Sequence, residues 1–382
     1  MNFRDDHVSE AAPAPVVDSG SEPESFVPDW SLSPGVLLRK ELAARGMKQA
    51  DLSQRTGLSP KHINQLVKEV ASLSPDVALR LERALGTASS TWLSIEAQWQ
   101  SARVKRDSAE RLIEHVDWAK RFPIKELTRR GALTGAEQGA DLVEAVLRFF
   151  QVAGPGALEQ VWLEPVAGFR RSQHHDIDRF ATVTWLRLGE LEAANLRLRS
   201  WNPARLRAAL PQLRKLTRQP DDVGFHSAQE LLAQCGVAAV FVPEIAGSRA
   251  CGATRWRTDG KPIVVLSGRY RYADSFWFTL FHELAHVLLH PRRSTFVDLD
   301  GEYGDDQDGQ ESQANQYASD VLLPGAYRTR LAAARRASQI AAIAEEAGVA
   351  AGIAAGQHGY LTKEWRTGSR LRHRLALNVH SD

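Results

Sequence analysis

The run Phe278-Thr279-Leu280-Phe281-His282-Glu283-Leu284-Ala285-His286-Val287-Leu288-Leu289-His290 holds the side chains best suited to chemistry. Residues four apart lie on one face of a helix, one turn apart, so His282 and His286 can bind a single Zn2+. Glu283 then stands beside the metal and can polarise a bound water or take its proton. The neighbours are apolar all round, which predicts a buried helix that keeps the site dry and its ligands fixed. A catalytic zinc needs a third protein ligand and one open position. His290 is a poor choice, since it lies roughly 12 Å along the axis from His282 at 1.5 Å per residue. No glycine between His286 and His290 breaks the helix. His290 is therefore expected at the helix end or behind a ligand. Glu311 is the better third ligand. It opens Glu311-Ser312-Gln313-Ala314-Asn315-Gln316-Tyr317-Ala318, a second helix with an apolar stripe that runs on to Pro324. Asn315, one turn further, could hydrogen-bond the second ring nitrogen of a liganding histidine. The competing readings are a solvated first-turn acid at 311 and ligation by the loop acids Asp305, Asp306 or Asp308.

A second chemical signal lies near the N-terminus. Gln49-Ala50-Asp51-Leu52-Ser53-Gln54-Arg55-Thr56-Gly57-Leu58-Ser59-Pro60-Lys61-His62-Ile63-Asn64-Gln65-Leu66 reads as two short helices across a tight turn. Ala50, Leu52, Leu58, Ile63 and Leu66 supply the packing positions. Gly57 fits a left-handed turn residue, Ser59 an N-cap, and Pro60 the first helical position. The second helix is expected to expose Ser59, Lys61, His62, Asn64, Gln65 and Lys68, which can contact phosphates or base edges in a major groove of double-stranded DNA. A plain helical hairpin that packs on the rest of the chain is the competing reading.

From Pro34 to Gln100 the chain resembles the Cro/C1-type (XRE) helix-turn-helix family, above all its HigA-like antitoxin branch. Pro34-Gly35, Leu38-Arg39, Glu41-Leu42, Pro75 to Leu81, Ala84-Leu85-Gly86-Thr87 and Trp92-Leu93 carry the likeness beside the helix pair. It implies that Gln49 meets a phosphate and that the second helix reads bases. Roughly residues 225 to 375 resemble the ImmA/IrrE-type metallopeptidases. His282-Glu283-x-x-His286, Leu288-Leu289-His290, Glu311-x-x-Ala314-Asn315-x-Tyr317-Ala318 and Leu322-Leu323-Pro324 carry that likeness. Gly252 to Trp256, Lys261-Pro262, Asp274 to Thr279 and Ile340 to Ile353 extend it. This resemblance implies zinc held by His282, His286 and Glu311, Glu283 as general base, and a helix-turn-helix repressor as the protein cut or disabled. Gln313 departs from the pattern, where many relatives carry a second Glu.

Around these two signals the chain divides by composition. Its 382 residues exceed a single core, and its two cysteines, Cys235 and Cys251, exclude a disulfide framework. The formal charge of +2 excludes a uniformly basic coat protein but leaves room for local patches. Residues 1–30 read as a flexible acidic tail, 31–100 as the all-α DNA-binding domain, 101–222 as an arginine-rich helical connector and 223–382 as an α+β, zincin-like peptidase domain. Phe169-Arg170-Arg171-Ser172 and Trp185 to Leu191 resemble the connecting segment of longer family members. Val237 to Val242 and Ile263 to Leu266 are expected as buried strands, with a helix closing at Gly236 between Cys235 and the first of them. Neither a secretory signal nor a membrane span is visible, so a cytoplasmic protein without membrane contact is expected.

The combined expectation is a transcriptional regulator that reads DNA as a homodimer and carries a zinc endopeptidase for a repressor protein. The rival is a HigA-like antitoxin or repressor whose peptidase-like domain senses a signal or binds a partner, such as a toxin, without proteolysis. A third possibility is self-processing within residues 101–125.

Overall fold

The computed structural model describes residues 32–134, 138–167, 178–290, 296–299 and 309–377. The acidic segment 1–30, Phe169-Arg170-Arg171-Ser172, and Asp305, Asp306 and Asp308 lie outside the described residues. The chain divides between Ser108 and Ala109 into two compact units.

The first unit is all-helical: α1 (Pro34–Ala44), α2 (Gln49–Thr56), α3 (Pro60–Val67), α4 (Pro75–Leu85) and α5 (Ser89–Leu112), which the unit includes up to Ser108. A repeated Ser-Pro pair starts three of these helices. Ser33, Ser59 and Ser74 each accept a hydrogen bond from the N–H three residues on, and Pro34, Pro60 and Pro75 take the first helical position. The caps satisfy one otherwise unpaired donor, and the prolines forfeit none. Leu38, Leu52, Ile63, Leu81 and Trp92 fill the core between the helices. Leu58 is half-buried, and Ala50, expected among the packing positions, is exposed. Arg39, Arg45 and Arg80 donate to the carbonyls of Val67, Leu85 and Thr56. Each places positive charge at the C-terminal end of a helix, where the backbone dipole is negative.

The second unit is built on a mixed sheet: β1 (Ala238–Phe241), β2 (Ala250–Trp256), β3 (Pro262–Leu266) and β4 (Phe296–Leu299), in the order β1-β3-β2-β4. β1 runs parallel to β3, and β2 runs antiparallel to both β3 and β4. β1 and β3 match the two expected strands, and β1 follows a helix that ends at Cys235, with Gly236 as its cap. β2 was not expected. Gly252 breaks its apolar pattern and Arg255 its polarity, yet its place between two strands supplies the hydrogen bonds that composition did not predict.

Side chains alternate across the sheet, and both faces are covered. Val237, Ala239, Val264 and Leu266 join a core with α6 (Pro203–Leu216), α7 (Asp221–Cys235), α8 (Ala273–Leu289), α9 (Gln310–Leu322), α10 (Ala337–Ala347) and α11 (Ala351–Thr362). Ala238, Val240, Ala253, Ile263 and Val265 join another with the helices Gly139–Phe150 and Arg179–Ala194. Trp185 donates its indole N–H to the carbonyl of Val242 at 2.8 Å, and Arg130 reaches the carbonyl of Pro243 at 3.0 Å. The expected connector, 101–222, therefore belongs to the second unit from Ala109 onward, with the helices Gly139–Phe150 and Arg179–Ala194 on the far face of the sheet and α6 on the near one. The physical reason is the sheet itself: its far face is apolar and these helices are what buries it. Ala337 to Thr362 forms a helical hairpin whose Ile340, Ile343, Ala344, Ile353 and Ala354 pack into the core. Among the described residues no helix is long and apolar enough to cross a membrane.

Candidate metal centre and nucleic-acid interface

α8 is buried on nearly every side from Ala273 to Val287, pressed between the sheet and the other helices. Its four-residue spacing puts His282 and His286, 2% and 1% exposed, on one face with their Nε2 atoms 3.0 Å apart. α9 buries Ala314, Ala318 and Leu322 along one stripe, and the small residues let it lie close to α8. That approach carries Glu311 to the histidines: its carboxylate oxygens stand 3.1 Å from His282 Nε2 and 3.4 Å from His286 Nε2. The three form the metal-competent group among the described residues, each ligand atom within 4.8 Å of the others.

The donor chemistry fits a zinc ion. Tetrahedral ligation at 2.0–2.1 Å separates ligand atoms by about 3.3 Å, which these spacings match. Asn315 Oδ1 lies 2.9 Å from His282 Nδ1. An amide oxygen accepts, so that nitrogen carries the proton, and Nε2 turns toward His286 and Glu311. His290 caps α8 and sets its Nδ1 2.8 Å from His286 Nδ1, so it stands behind a ligand and does not itself join the three. Charge states agree with ligation. Burial raises the Glu311 carboxyl, but the hydrogen bonds from His282 and His286 outweigh it and hold the group well below the usual carboxylate range. Burial pushes the His286 imidazole down, against the pull of Glu311. An ionised carboxylate is the state a metal requires of such a ligand. Glu311 keeps about a third of its side chain exposed, so the cluster is open to solvent on the α9 side.

Glu283, next in sequence to His282, packs its carboxylate against β2 and is fully buried. Its Oε2 accepts from the Thr254 hydroxyl at 2.6 Å. Gly252, which lies against the same carboxylate, and Thr254 were part of the Gly252 to Trp256 stretch of the family resemblance, which gave neither of them a role. That role becomes visible once the strand register puts the Gly-x-Thr pair on one face of β2.

In the first unit, α2 ends at Gly57, which adopts φ +69°, and Ser59 accepts from the His62 N–H at 3.1 Å to start α3. Ile63, Leu66 and Val67 turn inward. Ser59, Lys61, Asn64 and Lys68 are exposed on α3, His62 and Gln65 are half-buried beside them, and Gln49 is half-buried at the start of α2. The arrangement is that of a helix pair with a polar outward face. Arg39, Arg45 and Arg80 are engaged with helix ends, so the charge available to phosphates is smaller than the count of basic residues suggests.

Comparison with known proteins follows the same division. The model of the IrrE N-terminal-like domain, a peptidase family, matches residues 244–356, a span containing β2, β3, α8 and α9. The helix-turn-helix model matches residues 38–93. Virulence-associated protein I of Dichelobacter nodosus is 31% identical over 78 residues, which is 20% of this chain and 72% of that protein.

Replacing His282, His286 or Glu311 by Ala should abolish uptake of one zinc per chain in the purified protein. Replacing His290 by Ala should keep the stoichiometry and weaken affinity roughly 10- to 100-fold, as loss of a ligand's supporting partner does. Competition with a chromophoric chelator measures both. Retention of full affinity by Glu311→Ala would contradict the ligand set.

Proposed function

Because the chain belongs to the proteins that join an XRE-type helix-turn-helix domain to an IrrE/ImmA-type peptidase domain, we propose that it is a DNA-binding regulator with a zinc-dependent endopeptidase. One observation carries the reading: His282, His286 and Glu311 converge within ligation distance, from two helices, next to the buried acid Glu283. Zinc bound by these three would supply a water acidified toward neutrality and a Lewis acid for the scissile carbonyl. Every other part of the reaction falls to the chain. Asn315 and His290 hold the imidazoles in place, and the burial of α8 keeps both rings fixed. Glu283 takes the proton of the attacking water and hands it to the leaving amine.

The substrate we propose is a helix-turn-helix repressor protein, whose removal would change the transcription that the first unit addresses. α3 is the base-reading helix, with Asn64 and Gln65 as candidates for base edges and Lys61 and Lys68 for phosphates. Gln49 is proposed to meet a phosphate from the start of α2, and Ser59 and His62 to flank the contact. A dimer would place two copies of α3 on two half-sites.

Two predictions follow from these roles. Glu283→Gln should keep one zinc per chain and lower cleavage of candidate repressors roughly 10²- to 10⁴-fold, the usual contribution of a general base. The assay incubates the purified protein with candidate repressors and with itself, with and without chelator, and reads intact masses. Absence of chelator-sensitive cleavage throughout would favour the antitoxin or sensor role, and loss of the chain's own first unit would mark self-processing. In DNA titrations, Lys68→Ala should weaken binding to all sequences alike and reduce the salt dependence by about one counterion. A loss confined to one DNA sequence would instead make Lys68 a base reader.

A further inference from the structure

Glu283 is held by a strand that precedes it by 29 residues. Thr254, on β2, is fully buried, and its hydroxyl donates to Glu283 Oε2 at 2.6 Å, within the range of charge-assisted O–H···O bonds. The same hydroxyl lies 3.1 Å from the backbone carbonyl of Glu283. A hydroxyl has one proton, and the shorter contact to the carboxylate takes it. Gly252 sits two residues earlier on the same face of β2. A Cβ there would stand 2.6 Å from Glu283 Oε1 and 2.5 Å from Thr279 Cγ2, both far inside contact distance. Ala253 between them packs into the core on the opposite face. The pleat of the strand thus aims Gly252 and Thr254 together at α8.

We propose that Gly252 and Thr254 form a cradle that positions Glu283 for proton transfer. Thr254 anchors one carboxylate oxygen, and Gly252 leaves the gap that admits the carboxylate against the strand. Both are positioning residues, acting through Glu283. A carboxylate tied at one oxygen in a buried niche has its side-chain torsions fixed. Its distance to the His282, His286 and Glu311 cluster is then set by the packing of β2 on α8, and small misplacements of a reacting group cost large factors in rate. The catalytic half of this proposal rests on Glu283 being the base, and the cradle itself does not.

The test uses the full chain in two assays. With the zinc-loaded protein and a repressor that the wild type cleaves, Thr254→Val should lower kcat roughly 10- to 100-fold with KM and zinc content little changed. Thr254→Ser, which keeps the hydroxyl, should return most of that loss, and Gly252→Ala should lower kcat as well. In the second assay, melting of the chelated protein is measured for Thr254→Val, Glu283→Ala and the pair. The two losses should not add, because each removes the same hydrogen bond. Additive losses in melting, or a Thr254→Val protein with wild-type kcat, would overturn the proposal. A wild type that cleaves nothing while the melting losses stay coupled would overturn the peptidase reading and leave the cradle standing.

Discussion

Two imidazole nitrogens and a carboxylate that face one another across 3.0–3.4 Å must share something positive between them. Lone pairs brought that close in a buried site repel, and their desolvation is offset only by a proton or a metal ion. The cluster of His282, His286 and Glu311 imposes that condition on the second unit, and its architecture follows from meeting it. α8 supplies two imidazoles at one-turn spacing, and α9 approaches on a stripe of alanines to supply the carboxylate. Asn315 and His290 then hold the rings from behind, so that both Nε2 atoms face Glu311.

A helix that carries such a cluster needs to be immobile, and α8 is made so from both directions. The sheet lies against it through β2, where Thr254 grips Glu283, while α6, α7, α10 and α11 close the same core. The sheet in turn is stiffened from its far face by the helices between 139 and 194. These helices look like a link when read along the chain, yet their burial against Val240, Ile263 and Val265 makes them a supporting layer. Removing them would expose the apolar far face of the sheet.

Where local spacing decides structure, the sequence was readable. The His-x-x-x-His repeat places its ring pair by helix geometry alone, and Glu311 with Asn315 repeats the same spacing on the partner helix. Ser59-Pro60 after Gly57 marks the start of α3 through capping chemistry that acts within four residues. Contacts between distant segments were harder to read. β2 is a strand because β3 and β4 pair with it, and its own residues, with a glycine and an arginine among them, do not announce one. Thr254 therefore had no assigned partner, and neither did the helices that cover the far face of the sheet. The basic residues near the N-terminus mislead for a similar reason: Arg39, Arg45 and Arg80 reach carbonyls 24 to 40 residues away, which a charge count cannot foresee.

The ligand set is open to direct measurement by X-ray absorption at the zinc edge of the metal-loaded protein. A shell of nitrogen and oxygen neighbours at about 2.0–2.1 Å, with two imidazole rings resolved in the outer scattering, is the predicted spectrum. The Glu311→Ala protein should lose that spectrum. A sulfur neighbour near 2.3 Å, or an unchanged spectrum in Glu311→Ala, would contradict a centre built from His282, His286 and Glu311.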